Sequence, residues 1–126
     1  MGEDFGMRVS VLASSSSGNA TYIETPGHKV LVDAGLSGKK IETLMQSIGR
    51  DLTDVDSVFI THEHSDHVRG VGVLARRYPK LSVYANAKTF AALPKNVGKI
   101  PEDQLRLFDM GATLTLGDLD VESFGV

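Results

Sequence analysis

Residues 61–67 read Thr-His-Glu-His-Ser-Asp-His, so that three of the four histidines of the chain fall within six consecutive positions. A strand-like run, Ser57-Val-Phe-Ile-Thr61, leads directly into them. Neutral imidazole and carboxylate groups are the usual protein ligands of zinc and related transition metals. The stretch therefore predicts a metal centre at the carboxyl end of a strand.

The spacing of these ligands allows two adjacent metal ions. In extended backbone alternate side chains share a face, so His62 and His64 can grip one ion together. Ser65 then allows a turn, after which Asp66 and His67 leave in a new direction and can reach a second ion. Two ions roughly 3.5–4 Å apart can bind both sides of an ester and activate a bridging water. This chemistry indicates a hydrolase, with zinc, manganese or iron as the metal.

The same residues also have simpler interpretations, which stay open at this point. Asp66 fits an N-cap of the following helix as well as a ligand, and three histidines without a metal would form a solvated loop. Asp33 fits either a partner that orients a ligating histidine or a plain strand-end residue. Glu63 is predicted to point away from its neighbours and not to be a ligand. A structural zinc site is less attractive, because such sites are usually built around cysteine, and the chain has none.

Charged residues outside the motif are less informative. His28 follows Pro-Gly in a turn and is predicted to be exposed. Four basic residues lie on or just after the helix predicted from about 68 to 78. They either steer an anionic substrate or form a solvated helix face. They are Arg69, Arg76, Arg77 and Lys80.

The composition is that of an ordinary globular protein. The 126 residues are 41% apolar and 23% charged, with a net charge of −3, which gives no sign of a strongly basic nucleic-acid-binding surface. The absence of cysteine excludes disulfides and fits a reducing compartment. No apolar run approaches the roughly 20 residues of a membrane span, and the acidic N-terminus does not resemble a secretory signal. A cytoplasmic location is the resulting expectation.

Hydrophobic periodicity predicts strands alternating with helices. Strands are expected over 7–13, 20–24, 29–33, 57–61 and 81–85, with three more in a meander near the C-terminus, and the strands within 20–33 are expected to form a hairpin. Helices are expected from an N-cap at Ser37 to Gly49, from about 68 to 78, and after Asn86. The first of them carries an apolar stripe, Ile41, Leu44, Met45 and Ile48. The serine-rich stretch 14–19 is predicted to be a tight loop near the site, with a flexible linker as the alternative. Such an order predicts an α/β fold with a mixed β-sheet and helices on one face.

The predicted sheet needs apolar cover on its second face, and the chain ends in a strand-like run, Phe124-Gly-Val126. We therefore expect residues 1–126 to form the N-terminal portion of a larger domain, whose uncovered sheet face could self-associate.

The motif 61–67 resembles the second motif, His-x-His-x-Asp-His after a strand, of the metallo-β-lactamase fold superfamily. Leu31-Val-Asp-Ala-Gly35 resembles the first motif of that superfamily, whose Asp, here Asp33, supports the metal site. The element order is similar to the N-terminal half of the αββα sandwich of the superfamily. Further segments resemble the YycJ/WalJ branch, so that the resemblance covers essentially the whole chain. These segments are Leu12-Ala-Ser-Ser-Ser-Ser-Gly-Asn-Ala-Thr21, Gly35-Leu-Ser-Gly-Lys-Lys40, Gly72-Val-Leu-Ala-Arg-Arg-Tyr78 and Tyr84-Ala-Asn86.

The resemblance implies a two-metal hydrolase. By it, His62 and His64 would serve one ion, Asp66 and His67 the other, and Asp66 would also orient or deprotonate the attacking water. The branch implies phosphodiester cleavage, as a 5′-to-3′ DNA exonuclease in bacterial repair, while other members hydrolyse another ester or a thioester. The metals expected are two divalent ions, zinc or manganese, with iron as a further candidate.

The chain departs from the pattern of the superfamily in two ways. It carries Ser15 where relatives usually have Gly, and it ends at the strand that precedes the third metal-binding motif. Only four of the usual seven ligands are therefore present. The alternative to an enzyme is that this chain, taken alone, is a non-catalytic fragment that binds metal weakly at most.

Overall fold

The computed structural model of the protein describes residues 6–109 and 111–123. Within them the strands are β1 Arg8–Ser15, β2 Gly18–Glu24, β3 Lys29–Val32, β4 Ser57–Phe59, β5 Ser82–Ala85, β6 Leu105–Leu107, β7 Thr113–Leu116 and β8 Leu119–Glu122. The α-helices are α1 Gly38–Ser47, α2 Ser65–Val68, α3 Val71–Arg77 and α4 Ala87–Ala91. Single 3₁₀ turns are Leu52–Asp54, Lys95–Val97 and Glu102–Gln104. None of the described helices is long and apolar enough to span a membrane.

Six strands form one mixed sheet in the order β1-β2-β3-β4-β5-β6. The first three are antiparallel neighbours, and Thr21 pairs with Val32, which confirms the predicted hairpin over 20–33. From β3 onward the pairing is parallel, because helices or longer connections cross between the strands. The predicted mixed sheet is therefore confirmed.

One face of the sheet carries the main hydrophobic core. Residues directly opposite each other on neighbouring strands share a face, and one such row is Tyr22, Leu31, Val58 and Val83, all 0% exposed. Against this row packs the apolar stripe of α1 and α3, namely Ile41, Met45, Val71, Leu74 and Ala75. The stripe predicted for the first helix and its Ser37 N-cap, which accepts a hydrogen bond from the Lys40 amide, are both confirmed.

The opposite face is covered in the middle and open at the β1 edge. Phe59 is buried and stacks on Tyr84, with the ring centroids 4.7 Å apart. At the edge, Val9 is 55% exposed and Val11 is 63% exposed. Because Val11 pairs with Thr21 and Thr21 pairs with Val32, these valines lie on the same face as Phe59, the partner of Val32.

The serine-rich stretch differs from the predicted loop over 14–19. Ser14 and Ser15 complete β1, and Gly18 begins β2, so that only two residues form the turn. The Ser15–Gly18 pair closes a tight hairpin, in which ladder hydrogen bonds satisfy backbone groups that a loop would leave to solvent.

The helix predicted over 68–78 corresponds to α3, which begins only at Val71, and a separate short helix, α2, precedes it. Gly70 lies between them, and its amide donates to the Ala34 carbonyl over 2.8 Å. A Cβ at Gly70 would lie 2.2 Å from the Leu36 carbonyl oxygen. The chain after β3 therefore crosses close to this point, and the helix is interrupted there.

The predicted C-terminal meander is wrong. β6 pairs in parallel with β5, and β7 and β8 form a separate two-stranded hairpin. Gln104, 4% exposed, explains the placement of β6, since its side-chain amide donates to the Ala75 and Leu81 carbonyls, both at 2.8 Å. The run Phe124-Gly-Val126 lies outside the described residues.

The prediction of an exposed His28 is also wrong. Its ring is half-buried, with Nδ1 3.1 Å from Asp56 Oδ2 and Nε2 facing Gly117 of the β7–β8 turn. The next residue of that turn, Asp118, accepts hydrogen bonds from the Thr25 hydroxyl and the Gly27 amide. The β2–β3 turn is thus held by the β7–β8 hairpin.

Replacing Gln104 by Met should destabilise the protein by about 1–3 kcal/mol, because the buried carbonyls that its amide satisfies would lose their donor. Urea denaturation measures the loss. The exposed Gln46→Met on α1 is the matched control and should change the free energy of unfolding by less than about 0.5 kcal/mol. Equal effects of the two substitutions would contradict the role given to Gln104.

Glu24 supplies a pH-dependent contribution to stability. Arg50 donates to it through Nε and Nη2, at 2.6 and 3.2 Å, and the Tyr22 hydroxyl donates at 2.7 Å. The Arg50 guanidinium first, and Tyr22 second, lower the pKa of Glu24 from 4.5 to about 2. Since this pKa is lower in the folded state, the stabilisation is complete above the unfolded value and is lost as the pH falls towards 2.

We expect Glu24→Gln to lower Tm near neutral pH and to lose this effect as the pH falls from about 5 to about 2, where the wild-type carboxylate becomes protonated as well. Thermal denaturation across this range tests the expectation. The exposed Glu102→Gln is the control. A Tm difference between wild type and Glu24→Gln that stays constant with pH would be inconsistent with it.

Candidate metal centre

The histidine motif lies at the carboxyl end of β4. The strand ends at Phe59, and Ile60 still donates from its amide to the Tyr84 carbonyl over 2.9 Å. The chain then turns into α2, whose N-cap position is occupied by His64. Asp66 therefore lies in the first turn of the helix, and the interpretation of Asp66 as its N-cap is wrong because the helix begins two residues earlier than that role requires.

Asp33 lies directly after β3 and points its carboxylate at the motif. The residue is 5% exposed and has a left-handed backbone, with φ at 66°. Its Oδ1 accepts from the Thr61 amide at 2.8 Å, and its Oδ2 lies 2.7 Å from both the Thr61 hydroxyl and His67 Nδ1. Of the two interpretations of Asp33, this geometry favours a partner that orients a motif histidine.

The contact with Asp33 determines which nitrogen of His67 is available. An ionised carboxylate only accepts hydrogen bonds, so Nδ1 carries the proton and the Nε2 lone pair of the neutral ring is free. That Nε2 lies 3.6 Å from Asp66 Oδ2. His67 Nε2 and Asp66 Oδ2, two of the predicted ligand atoms, therefore lie close together. The tautomer of the His67 ring is set by the buried Asp33 carboxylate.

Thr61 is a site residue for which the sequence analysis predicted no role. Its hydroxyl must donate to Asp33, since the carboxylate cannot, so its oxygen is left to accept from His62 Nδ1 at 3.0 Å. This arrangement leaves Nε2 of His62 as the free lone pair. The available signal in the sequence was a hydroxyl-bearing residue immediately before the first histidine.

The structure brings the three motif histidines together. The ring centroids of His62 and His67 are 4.7 Å apart, and those of His62 and His64 are 6.1 Å apart. His62 and His64 are exposed, whereas Asp66 and His67 are half-buried. The four predicted ligands thus lie in one patch that opens to solvent.

The donor set fits a divalent metal in its chemistry but does not form a closed ligand cage. Imidazole nitrogen and carboxylate oxygen suit zinc, manganese and iron, and Asp33 holds the His67 ring by a hydrogen bond at Nδ1, as carboxylates beside metal-binding histidines commonly do. Within residues 6–109 and 111–123, however, no three His, Asp or Glu side chains converge on one point as a metal-binding group. These residues supply part of a centre.

The basic side chains considered for substrate steering are partly engaged elsewhere. Arg77 donates from Nη1 to both carboxylate oxygens of Glu42 of α1, with both distances 2.8 Å. Arg76 donates to the Lys99 carbonyl. These contacts favour the interpretation of both arginines as part of the helical layer.

Comparison with known proteins places this geometry in a family. The sequence profile of the metallo-beta-lactamase superfamily matches residues 15–124. Exodeoxyribonuclease WalJ of Streptococcus pneumoniae is 54% identical over 125 residues, covering 98% of this chain and 46% of the relative. Exodeoxyribonuclease YycJ of Bacillus anthracis is 52% identical over 121 residues, covering 96% and 46%. The chain thus spans about half the length of these relatives.

The fold agrees with solved structures. BJP-1, a subclass B3 metallo-β-lactamase of Bradyrhizobium japonicum, superposes with a TM-score of 0.75, covering 96% of this chain and 50% of its own, at 18% sequence identity. At that identity the likeness concerns the fold alone, and it confirms the α/β architecture expected for half of an αββα sandwich. Profile, relatives and fold agree, and the chain belongs to the metallo-β-lactamase superfamily, in its YycJ/WalJ branch.

Proposed function

We propose that the protein to which these residues belong is a metal-dependent hydrolase that removes nucleotides from DNA ends. The observation that carries the proposal is the contact of Asp33 with His67, which presents Nε2 beside the Asp66 carboxylate in the motif. Identity of 54% and 52% to two proteins named exodeoxyribonucleases supports DNA as the substrate. Cleavage in the 5′-to-3′ direction, a part in DNA repair and a cytoplasmic location belong to the same proposal.

The motif residues would hold two divalent ions, zinc or manganese, with iron as a further candidate. His62 and His64 would bind one ion, and Asp66 and His67 would bind the other. Such ions neutralise the charge of a phosphodiester and polarise it for attack. Asp33 and Thr61 set which nitrogens of His67 and His62 are free, and the Asp66 carboxylate supplies an acceptor that orients or deprotonates the attacking water.

Charge supports a metal-dependent mechanism for an anionic substrate. These 126 residues carry a net charge of −3, and Arg77 is paired with Glu42. The 13 Lys and Arg residues are outnumbered by 16 Asp and Glu residues, so the chain carries no excess of positive charge for neutralising phosphates. In the proposed enzyme, cations held by His62, His64, Asp66 and His67 would supply that charge. Another ester or a thioester is the alternative substrate within the same chemistry.

A second candidate is that these 126 residues, which span about half the length of the matched relatives, are non-catalytic on their own. The failure of three donors to converge within the described part of the chain favours this candidate for the isolated chain. The exposed Val9 and Val11 at the β1 edge support self-association of that chain. The two candidates are compatible, since one concerns the complete protein and the other this portion.

Substituting His64 by Ala in the full-length protein should lower exonuclease activity by more than about 100-fold, because a side chain proposed to bind metal is removed. The assay measures release of nucleotides from end-labelled duplex DNA with Mn²⁺. The isolated 126-residue chain, assayed in parallel, should leave the DNA intact and sediment as oligomers.

The control for this assay is His28→Ala, since His28 contacts Asp56 away from the motif. It should retain activity within about twofold. Equal cleavage by wild type and His64→Ala would rule out the proposed site. Labels at the 5′ and 3′ ends of separate substrates give the direction of cleavage.

Substituting Asp33 by Asn should weaken metal binding about 10–100-fold, because the amide no longer fixes the His67 tautomer as a carboxylate does. Competition between the full-length protein and a chelator for Zn²⁺ measures the affinity. Asp56→Asn is the matched control, because Asp56 likewise accepts from a histidine Nδ1, that of His28, and from a backbone amide, that of Lys29. Unchanged affinity in Asp33→Asn, or equal weakening in both variants, would argue against the assignment.

A further inference from the structure

Asn19 joins the serine hairpin to the first turn of α2. Its Nδ2 lies 3.0 Å from the Ser15 carbonyl oxygen, 3.1 Å from the Asp66 carbonyl oxygen and 3.4 Å from Asp66 Oδ2. All three neighbours are acceptors, so the nitrogen, and not the oxygen, of the amide must face them. The side chain therefore contacts both the main chain and the carboxylate of Asp66.

Backbone hydrogen bonds near Asn19 also hold the first turn of α2. The Gly35 amide donates to the Asn19 carbonyl over 2.9 Å, and the Ala34 amide donates to the His67 carbonyl over 2.8 Å. A Cβ at Gly35 would lie 1.8 Å from the Asp66 carbonyl oxygen, so this approach requires glycine. The Asp66 carbonyl is thus enclosed between Gly35 and the Asn19 amide.

The shortness of α2 makes these contacts important. A helix of four residues closes about one turn, and such a turn is unstable without tertiary contacts. The position of Asp66 consequently depends on what packs around α2. The Asp66 carboxylate is half-buried, and its contacts in the described chain are Asn19 Nδ2 at 3.4 Å and His67 Nε2 at 3.6 Å.

We infer that Asn19 is a positioning residue for Asp66, which it orients for metal binding through one amide group that holds both the carbonyl and the carboxylate. The inference rests on the proposed function and deepens it. It also assigns a role to the serine-rich segment, because the two-residue turn at Ser16 and Ser17 places Asn19 opposite Ser14 in the β1–β2 ladder, beside α2.

A double-mutant cycle in the full-length protein tests the inference with Mn²⁺ alone, by isothermal titration. Asn19→Ala should lower the apparent Mn²⁺ affinity about 10-fold in the wild-type background. In the Asp66→Ala background the loss should be clearly smaller, about two- to threefold, because the contact with the carboxylate is absent and only the contact with the main-chain carbonyl remains. A residue that served only general stability would lower the affinity equally in both backgrounds.

Activity gives a second readout. Asn19→Ala should lower kcat on end-labelled DNA about 10-fold with little change in KM, since the contact orients a group near the reacting atoms without binding substrate. Thr43→Ala, at an exposed position of α1, is the control and should match wild type. Asn19→Asp preserves the shape of the side chain but turns a negative group towards three acceptors, so its losses should be larger. If circular dichroism shows that Asn19→Ala is unfolded, Asn19→Asp takes its place in the double-mutant cycle.

The outcomes separate this inference from the proposed function. Equal losses of Mn²⁺ affinity in both backgrounds, or no loss in either, would overturn the role of Asn19 even if wild type cleaves DNA. Wild-type protein that binds Mn²⁺ but leaves DNA intact would overturn the proposed substrate, while the binding cycle would still decide on Asn19.

Discussion

The carboxylate of Asp33 is the contact on which the geometry of the histidine motif depends. It accepts hydrogen bonds from Thr61 and His67, which lie 28 and 34 positions further along the chain. A buried carboxylate without donors is costly, so the three residues hold one another in place. The left-handed backbone at Asp33 persists because these contacts outweigh its modest strain. The Asp33 carboxylate sets the tautomers of two histidines. It accepts from His67 Nδ1 directly, and it accepts the Thr61 hydroxyl proton, so that the Thr61 oxygen accepts from His62 Nδ1.

Strand pairing makes that contact possible. Val32 pairs with Phe59 in parallel, and the Asp33 amide donates to the Phe59 carbonyl over 2.8 Å. Neighbouring parallel strands end at the same edge of the sheet, which is where ligands bind in open α/β sheets. The loops that leave β3 and β4 therefore meet, and the tight crossings at Gly35 and Gly70 keep the first and second motifs of the superfamily in contact.

Local patterns in the sequence predicted much of the fold, and they failed where a distant segment intervened. The Ser37 cap, the α1 stripe and the β2–β3 hairpin depend on residues close in sequence, and all were predicted. The break at Gly70 and the position of β6 depend on Leu36 and on Gln104, which no local periodicity reveals. The serine stretch has the composition of a loop, yet strand pairing takes most of it into a hairpin.

By itself the sequence determined the types and spacing of the candidate ligands and the family, because imidazole and carboxylate groups at fixed intervals after a strand carry that information without coordinates. Only the tertiary structure decided which atoms of those side chains are free, that Thr61 contacts both His62 and Asp33, and that Asn19 meets Asp66 across 47 positions of chain. The physical reason is the separation in sequence of the residues that interact. Periodicity, caps and turns are interactions among near neighbours, whereas the orientation of a ligand depends on hydrogen bonds from residues that become adjacent only when the strands pair.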